Sequence, residues 1–219
     1  MVNSVVKARA LSIVRVLKKM YPVVKTELTY TTPFQFLSAV ILSAQCTDKH
    51  INNVTPVLWK KYPTIEAVAG ASVLQFQKDL ANVPFYRNKA KAIVHCARII
   101  LDKYAGTVPS TEEGLVELPG IGYKTAHVIL GELYGIFSGI PTDTHVRRFA
   151  YRFELSKAKT LEGISKDLEA LVPKKDWKYV NNGFVLYGRH RCPARKHDCK
   201  DHPLTKLYPK AHQLWPKAH

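Results

Sequence analysis

Residues 118–145 constrain the fold of this chain more than any other stretch, and they read LPGIGYKTAHVILGELYGIFSGIPTDTH. The segment opens with the run Leu118–Gly122, which holds one proline and two glycines. Proline fixes its own φ angle, and glycine tolerates the positive φ angles that most residues avoid. The run is therefore interpreted as a tight turn.

Helical patterns lie on both sides of this turn. Before it, residues 111–117 are predicted to be helical, with Ser110 and Glu113 spaced as a capping box. After it, residues 123–134 place apolar side chains on one helical face. The sequence thus predicts a helix-hairpin-helix motif over about residues 111–134. The free backbone N–H groups of such a hairpin, together with the N-terminus of its second helix, suit a phosphate group.

Lys124 and Asp143 make this motif a candidate active site. Lys124 falls in the first turn of the second predicted helix, where the helix dipole disfavours a protonated amine. Partial burial would lower its pKa further, and an uncharged amine is the form that attacks a carbon to give a Schiff base. Asp143 follows nineteen residues later. The alternative is a surface lysine and a helix-capping aspartate.

The charge of the chain indicates an anionic partner. Lys and Arg total 33 against 17 Asp and Glu, a formal net charge of +16 over 219 residues. Nucleic acid and membrane surfaces are the leading partners for such a surplus. No apolar run approaches the roughly 20 residues that span a bilayer. Arg9, Arg15 and Lys18 interrupt the apolar positions near the N-terminus, so no signal peptide is recognised there. We expect a cytoplasmic or nucleoid-associated protein without membrane attachment.

The remaining periodic segments are helical, and the predicted fold class is all-α. Helices are expected at these residues: 5–20, from 33, 48–62, 89–104, 144–153, 160–171 and 177–189. No segment alternates convincingly as a strand.

The sequence resembles the endonuclease III family of DNA glycosylases. The resemblance rests on LPGIGYKTA (118–126) followed by PTDTH (141–145), and on LSAQCTD (42–48) and the segment from Gly188 to Cys199, in order and approximate spacing. It covers residues 21 to 207. It implies two helical lobes flanking a DNA-binding groove, with a helical-barrel domain at 26–136 and a second domain from 1–25 plus 137–219. It also implies a monomer.

The resemblance places functional residues one by one. Lys124 matches the Schiff-base lysine and Asp143 the catalytic aspartate, whereas related adenine glycosylases lack a lysine at the hairpin. Gln45 matches the residue that enters the gap left by a flipped nucleotide, and Phe85 the wedge beside it. The full set expected to contact DNA is Gln45, Phe85, Arg87, Leu118, Gly120, Ile121, Gly122, His145 and Arg147.

For three of these residues a purely structural role stays open. Gln45 can make a helix-terminal hydrogen bond, Phe85 can fold into the core, and His145 can make a structural hydrogen bond.

The C-terminal segment departs from the family pattern. Members of this kind carry four cysteines spaced C-x6-C-x2-C-x5-C, which hold a four-iron four-sulfur cluster. Here Cys192 and Cys199 keep the first interval, but His202 and Tyr208 stand at the third and fourth positions. We therefore expect no cluster and no metal. If a metal site exists, its expected ligands are Cys192, Cys199 and His202, with zinc as the ion and His190 or His197 completing it.

The expected function is base-excision repair of duplex DNA that contains damaged bases or abasic sites. The resemblance implies a glycosylase with an associated lyase activity, acting on oxidised pyrimidines. One competing hypothesis is an abasic-site lyase, or a glycosylase for another lesion. Another is a non-catalytic DNA-binding module that uses the hairpin as a phosphate clamp.

Overall fold

The computed structural model describes residues 3–215, and over that range the chain forms helices joined by turns, with no strand. The all-α prediction is confirmed. Contacts divide the chain into two compact units. One, the central unit, is Thr26–Ile136; the other, the terminal unit, is formed by the segments on either side of it. That these units are functional domains stays a prediction. The outermost residues of the predicted second domain, 1–2 and 216–219, lie outside the described range.

The central unit is built on a buried helix with a long amphipathic helix beside it. Its helices are α2 Pro33–Ser43, α3 Asp48–Lys61, α4 Ile65–Ala69, α5 Val73–Asp79, α6 Tyr86–Tyr104, α7 Glu112–Val116 and α8 Tyr123–Ile129, with a π-helical turn at Leu130–Tyr134. Pro33 takes the first-turn position of α2, where its missing N–H costs nothing. Phe36 and Leu37 on α2 and Ile93 and Ile100 on α6 are fully buried, as the apolar pattern of these helices predicts.

The terminal unit packs its helices around a cluster of aromatic rings. Its helices are α1 Ser4–Met20, α9 Thr144–Arg152, α10 Leu161–Leu171, α11 Trp177–His190 and α12 Pro203–Leu207, with 3-10 turns at Lys174–Asp176 and Pro209–His212. The Phe149 ring on α9 lies 5.2 Å from the Phe184 ring and 5.3 Å from the Tyr187 ring, both on α11. These buried rings fix α9 against α11 and so position the residues at the start of α9.

The segment before the hairpin begins one residue later than its sequence pattern predicts. Thr111, not Ser110, is the N-cap of α7, and its hydroxyl accepts a hydrogen bond from the Gly114 N–H at 3.2 Å. The capping box assigned to Ser110 and Glu113 is therefore wrong. Either hydroxyl residue can cap a helix, and the turn that precedes α7 decides between them.

No helix in the described range, residues 3–215, is long and apolar enough to cross a membrane.

Candidate active site

The hairpin turn depends on one glycine with a left-handed backbone. Gly120 has φ +81°, a conformation that strains other residues. A Cβ added there would lie 3.2 Å from the Cβ of Ala92 on α6, so the turn also packs tightly against that helix. The Ile121 N–H closes the turn by donating to the Leu118 carbonyl at 3.1 Å. As whole residues Leu118 and Ile121 are only 1% and 5% exposed, so Gly120 and Gly122 form the exposed part of the turn.

Side chains of the central unit hold the hairpin in place. The buried Cys96 thiol on α6 donates to the Pro119 carbonyl at 3.2 Å. Burial raises the pKa of Cys96 to about 12, so the thiol stays protonated and can serve as that donor. The Nε2 atom of His127 on α8 bonds the carboxylate of Glu112 on α7 and joins the two flanking helices. The hairpin is thus fixed before any partner binds.

Gly122, the second glycine of the turn, differs from the expectation. It has φ −95° and ψ 172°, ordinary extended geometry, so positive φ does not explain a glycine there. It is the N-cap of α8 and supplies no side-chain cap, which leaves the first N–H groups of that helix without a capping oxygen. A Cβ at this position would meet nothing of the protein within 4 Å. The open face of the hairpin is therefore backbone that a ligand can approach closely.

Lys124 lies in the first turn of α8, next to this open backbone. Its side chain is exposed, so the partial burial considered from the sequence is wrong for the protein alone. The helix that carries it ends in a π-helical turn instead of continuing as a regular α-helix to Tyr134. The amine is available to a substrate that reaches the start of the helix.

Asp143 is the N-cap of α9 in the terminal unit. Its Oδ1 atom accepts hydrogen bonds from the N–H groups of His145 at 2.8 Å and Val146 at 2.9 Å. The capping role that the sequence left as an alternative is therefore present. Both bonds go to one oxygen, so the cap does not need Oδ2. The carboxylate is held in a fixed orientation and is half-buried.

The beginning of α9 places basic and imidazole groups beside Asp143. His145 and Arg147 are both half-buried, and Nη2 of Arg148 lies 3.4 Å from Nδ1 of His145. Desolvation lowers the pKa of the Arg148 guanidinium, and the nearby Cys192 and Asp143 oppose that shift. A Cβ added to Gly188 on α11 would fall 2.2 Å from His145 Nδ1. Gly188 therefore lets α11 approach the imidazole. The structural hydrogen bond considered for His145 is present as the contact with Arg148.

Gln45 and Phe85 are exposed residues with left-handed backbone. Gln45 has φ +55° after the end of α2, and Phe85 has φ +59° at the start of α6. The Phe85 ring is 62% exposed, which excludes the alternative that it folds into the core. Arg87 is exposed two residues further on and lies over the Tyr86 ring at 5.7 Å. The central unit thus presents an amide, an aromatic ring and a guanidinium at its surface.

The expectation that the C-terminal segment binds no metal is wrong. Cys192, His197 and Cys199 bring one ligand atom each to within 4.8 Å of one another, an arrangement that can hold a metal ion. Sequence spacing had suggested His202 as the third ligand, because it stands at the third position of the family pattern. In the fold His202 becomes the N-cap of α12, and His197, one of the two histidines expected only to complete the site, joins the cysteines instead.

The His197 ring has the hydrogen-bonding pattern of a metal ligand. Its Nδ1 lies 2.7 Å from the Arg195 carbonyl, which can only accept a hydrogen bond, so Nδ1 is the donor and Nε2 is the nitrogen that remains for a metal. The Nε2 atom is buried without a hydrogen-bond partner among the described residues. Two thiols and such an imidazole are ligands that zinc and iron–sulfur centres take. Cys192, His197 and Cys199 are the residues that would hold the metal.

Arg152 is a buried residue that bonds to both cysteines of this candidate metal site, and the sequence pattern did not identify it. It is 0% exposed, and it donates from Nη1 to Cys192 Sγ at 2.9 Å and from Nη2 to Cys199 Sγ at 3.0 Å. It also donates to the carbonyls of Ala211 and Leu214. The signal was its position on α9, three residues after buried Phe149 and so on the apolar face. A charged residue on that face requires buried acceptors.

We expect Arg152→Met to lower the free energy of unfolding by about 3 kcal/mol, because buried carbonyls lose their donor. Denaturant unfolding of the purified variant would measure this loss. Arg147→Met, a half-buried arginine of the same helix, is the matched control and should change the stability by about 0.5 kcal/mol or less. Equal small losses for the two variants would contradict the role assigned to Arg152.

The comparisons with known proteins agree on one family. Residues 38–174 match the model of the HhH-GPD superfamily base excision DNA repair proteins. The chain is 42% identical to Endonuclease III of Synechocystis sp. over 94% of each chain. It is 37% identical to Endonuclease III of Bacillus subtilis over 86% of each chain, and 34% identical to that of Escherichia coli over 88% of this chain and 91% of the relative.

Solved structures give the same result. A trapped endonuclease III–DNA covalent intermediate superposes with a TM-score of 0.86 at 33% identity, covering 94% of this chain and 97% of that one. A non-covalent endonuclease III–DNA complex matches with the same values. A thermostable thymine-DNA glycosylase shares the fold, with a TM-score of 0.79 at 19% identity. The chain therefore belongs to the endonuclease III family of HhH-GPD base excision DNA repair proteins.

Proposed function

We propose that this base-excision DNA glycosylase uses Lys124 as its nucleophile and Asp143 as its catalytic carboxylate. The protein has the associated lyase activity of its family and acts on duplex DNA that contains damaged bases. The observation that carries the assignment is the position of Lys124. It is an exposed amine in the first turn of α8, immediately after a hairpin whose backbone is open at Gly122.

Lys124 acts on the sugar of the damaged nucleotide. The nucleotide leaves the base stack because C1′ cannot be reached inside the duplex. The Lys124 amine attacks C1′, the bond from C1′ to the base breaks, and the base departs with the electron pair of that bond. Opening of the sugar ring gives a Schiff base between Lys124 and C1′. Loss of a C2′ proton then breaks the C3′–O bond and cuts the strand 3′ to the lesion.

Asp143 supplies negative charge at this step. Its carboxylate stabilises the positive charge that develops on the sugar as the base leaves, and it helps to remove the proton from the Lys124 ammonium. The cap at the start of α9 supports this role, because two backbone N–H groups hold the carboxylate through Oδ1. A carboxylate that is already oriented pays no reorganisation cost during the reaction.

The DNA contacts follow from chemistry and exposure. The backbone at Gly120 and Gly122 binds a phosphate of the damaged strand, and the buried Leu118 and Ile121 hold the turn in shape for it. Arg87, His145 and Arg147 contribute positive charge or donors to other phosphates. Gln45 and Phe85 fill the space in the duplex left by the flipped nucleotide. Such contacts make the affinity for DNA fall steeply as the salt concentration rises.

A DNA substrate places the protein in the cytoplasm, at the nucleoid.

Oxidised pyrimidines are the proposed substrate class, on the strength of family membership. An abasic-site lyase with little base-removing activity, or a glycosylase for another lesion, is the closest competing function. The third hypothesis is a non-catalytic clamp that uses only the hairpin. It leaves the exposed Lys124 amine without a purpose, so we do not favour it.

The test is a pair of single-turnover assays on matched duplexes, one with a single thymine glycol and one with an abasic site. The proposal predicts release of the free base from the first duplex and strand cleavage of both. Cleavage of the abasic duplex alone would reduce the protein to a lyase or move it to another lesion. Tight binding with no cleavage of either duplex would favour the clamp.

The two hairpin glycines separate folding from DNA binding. Gly122→Ala should fold normally, because its backbone is extended and its Cβ has room. The added methyl would obstruct the approach of a phosphate, so we expect the affinity for a duplex with an uncleavable abasic-site analogue to fall by about tenfold, the loss of one charge-assisted hydrogen bond. Fluorescence anisotropy would measure the affinity.

Gly120→Ala is the matched comparison for Gly122→Ala. Its strained φ and its contact with Ala92 should cost about 1–2 kcal/mol of folding stability. Unchanged DNA affinity for Gly122→Ala would contradict the close approach of a phosphate at that residue.

A further inference from the structure

Two turns of the central unit share an unusual construction. In the first, the Cys46 N–H donates to the Ser43 carbonyl at 2.9 Å, and Gln45 is the second central residue. In the second, the Tyr86 N–H donates to the Val83 carbonyl at 3.1 Å, and Phe85 is the second central residue. We call these the Gln45 turn (residues 43–46) and the Phe85 turn (residues 83–86). Each has positive φ at a place where turns of this kind ordinarily take glycine.

The backbone strain in these turns has no explanation within the folded protein alone. A residue other than glycine is strained in left-handed geometry, and such residues cluster at functional sites. Gln45 and Phe85 are both exposed, so neither gains core packing in return. Glycine would relieve the strain at both positions. The side chains must therefore be useful outside the fold.

Lys89 is bonded to both turns. It lies on α6 and is 7% exposed. Its ammonium donates to the Leu42 carbonyl at 2.8 Å and to the Ala44 carbonyl at 2.7 Å, and Ala44 is the first central residue of the Gln45 turn. Its backbone N–H donates to the Phe85 carbonyl at 3.2 Å. This last bond is the first backbone bond of α6 and does not depend on the side chain, so the Lys89 ammonium joins the Gln45 turn to the helix that begins at the Phe85 turn.

Burying the Lys89 ammonium to hold a loop carries a desolvation penalty. Burial lowers the pKa of Lys89, because the charged form loses hydration, although nearby Cys46 opposes the shift. Methionine would fill the same space without that cost. What only the ammonium supplies is a set of directional donors to carbonyls at the end of α2, where the helix dipole also favours positive charge. The ammonium therefore fixes the position of the Gln45 turn at a cost to the folding stability of the protein.

We propose that Lys89 is a positioning residue that fixes the Gln45 turn relative to the Phe85 turn, so that the amide and the ring enter the duplex together. This role rests on the proposed function, in which both side chains occupy the space left by the flipped nucleotide. In this role the Lys89 ammonium acts through the carbonyls it holds and not by contacting phosphate.

The experiment measures entry of the side chains into the duplex. A duplex carries an abasic-site analogue that β-elimination cannot cleave, with the fluorescent base 2-aminopurine opposite it, and the fluorescence reports whether side chains have entered the gap and unstacked that base. We expect Lys89→Met, which loses both bonds of the ammonium to carbonyls, to reduce the preference for this duplex over undamaged DNA by about tenfold and to lower the fluorescence change. Lys91→Met removes the same charge from an exposed position on α6 and should leave both quantities unchanged.

A double-mutant cycle with Gln45→Ala identifies the mechanism. If Lys89 acts through the turns, Gln45→Ala should cost little in the Lys89→Met background, because the amide is already misplaced. Additive losses would overturn the proposal. Should Lys89→Met not fold, Lys89→Gln retains an N–H donor without charge, and it should show an intermediate loss of preference. The crystal structure of Lys89→Gln would show whether its amide still donates to the turn. If that bond is absent and the preference still equals that of wild type, the proposal is also overturned.

The design separates this inference from the proposed function. If the wild-type protein neither prefers the abasic duplex nor changes its fluorescence, the proposed function fails. If wild type shows both effects and Lys89→Met shows them equally, the positioning role alone fails.

Discussion

Replacing Lys124 with glutamine is expected to abolish base release and strand cleavage while leaving the fold intact. Glutamine lacks the nucleophilic amine, so no Schiff base can form. Removing a nucleophile that takes part in every covalent step should slow single-turnover base release by at least about a thousandfold. Lys124 is exposed, so the free energy of unfolding should change by no more than about 0.5 kcal/mol.

The control for this variant is Lys91→Gln, which removes an exposed lysine of the same unit without touching the hairpin. It should release base and cleave DNA at the wild-type rate. DNA affinity of Lys124→Gln, measured on the abasic duplex, should fall modestly through the loss of one charge. Base release within tenfold of wild type by Lys124→Gln would show that another group is the nucleophile.

Asp143→Asn is expected to lose activity without losing the helix cap. The amide oxygen of asparagine can accept the same hydrogen bonds from His145 and Val146, so α9 keeps its start. The negative charge is gone, and with it the stabilisation of the sugar cation and the base that deprotonates Lys124. We expect base release to slow by about 10²–10⁴-fold, the usual contribution of a positioned acid–base group.

Asp143→Ala separates the two roles of the residue. It should lose the activity as Asp143→Asn does, and in addition about 1 kcal/mol of stability, because the cap is missing. Denaturant unfolding and single-turnover base release on the same preparations give both numbers. If Asp143→Asn kept wild-type base release, Asp143 would be a structural cap and nothing more.

Local signals in the sequence accounted for most of the secondary structure. The helices carry apolar stripes at helical spacing, and Pro33, Thr47 and Gly120 stand where a helix begins or a turn needs positive φ. The hairpin and the place of Lys124 on its second helix follow from the same kind of local pattern. The π-helical turn at Leu130–Tyr134 and the extended backbone of Gly122 did not, since both depend on packing in three dimensions.

Residues that act through long-range contacts could not be found in this way. Lys89 reads as one more basic residue after an aromatic pair, and only the fold shows its ammonium against the end of α2, 45 residues away in sequence. Arg152 sits on the apolar face of α9, but its acceptors come from residues 40 to 62 positions later. Sequence spacing alone does not say which distant carbonyls or sulfurs a side chain will reach.

The metal expectation failed for a related reason. Comparison with a fixed cysteine spacing drew attention to His202, because it stands where a cysteine was expected. The intervening loop instead turns His197 toward Cys192 and Cys199, and its Nδ1 bond to the Arg195 carbonyl leaves Nε2 as a ligand. The sequence offered His197 only as one of two histidines expected to complete the site, because spacing does not show which loop residue turns toward the cysteines.

The measurement that tests the central claim most directly is the identification of the residue that becomes attached to DNA. Wild-type protein is incubated with a thymine glycol duplex and borohydride, which reduces a Schiff base to a stable bond, and the adduct is digested and mapped by mass spectrometry. We predict a single modified peptide with the sugar on Lys124. Attachment at a different lysine, or no adduct despite base release, would contradict the mechanism proposed for this enzyme.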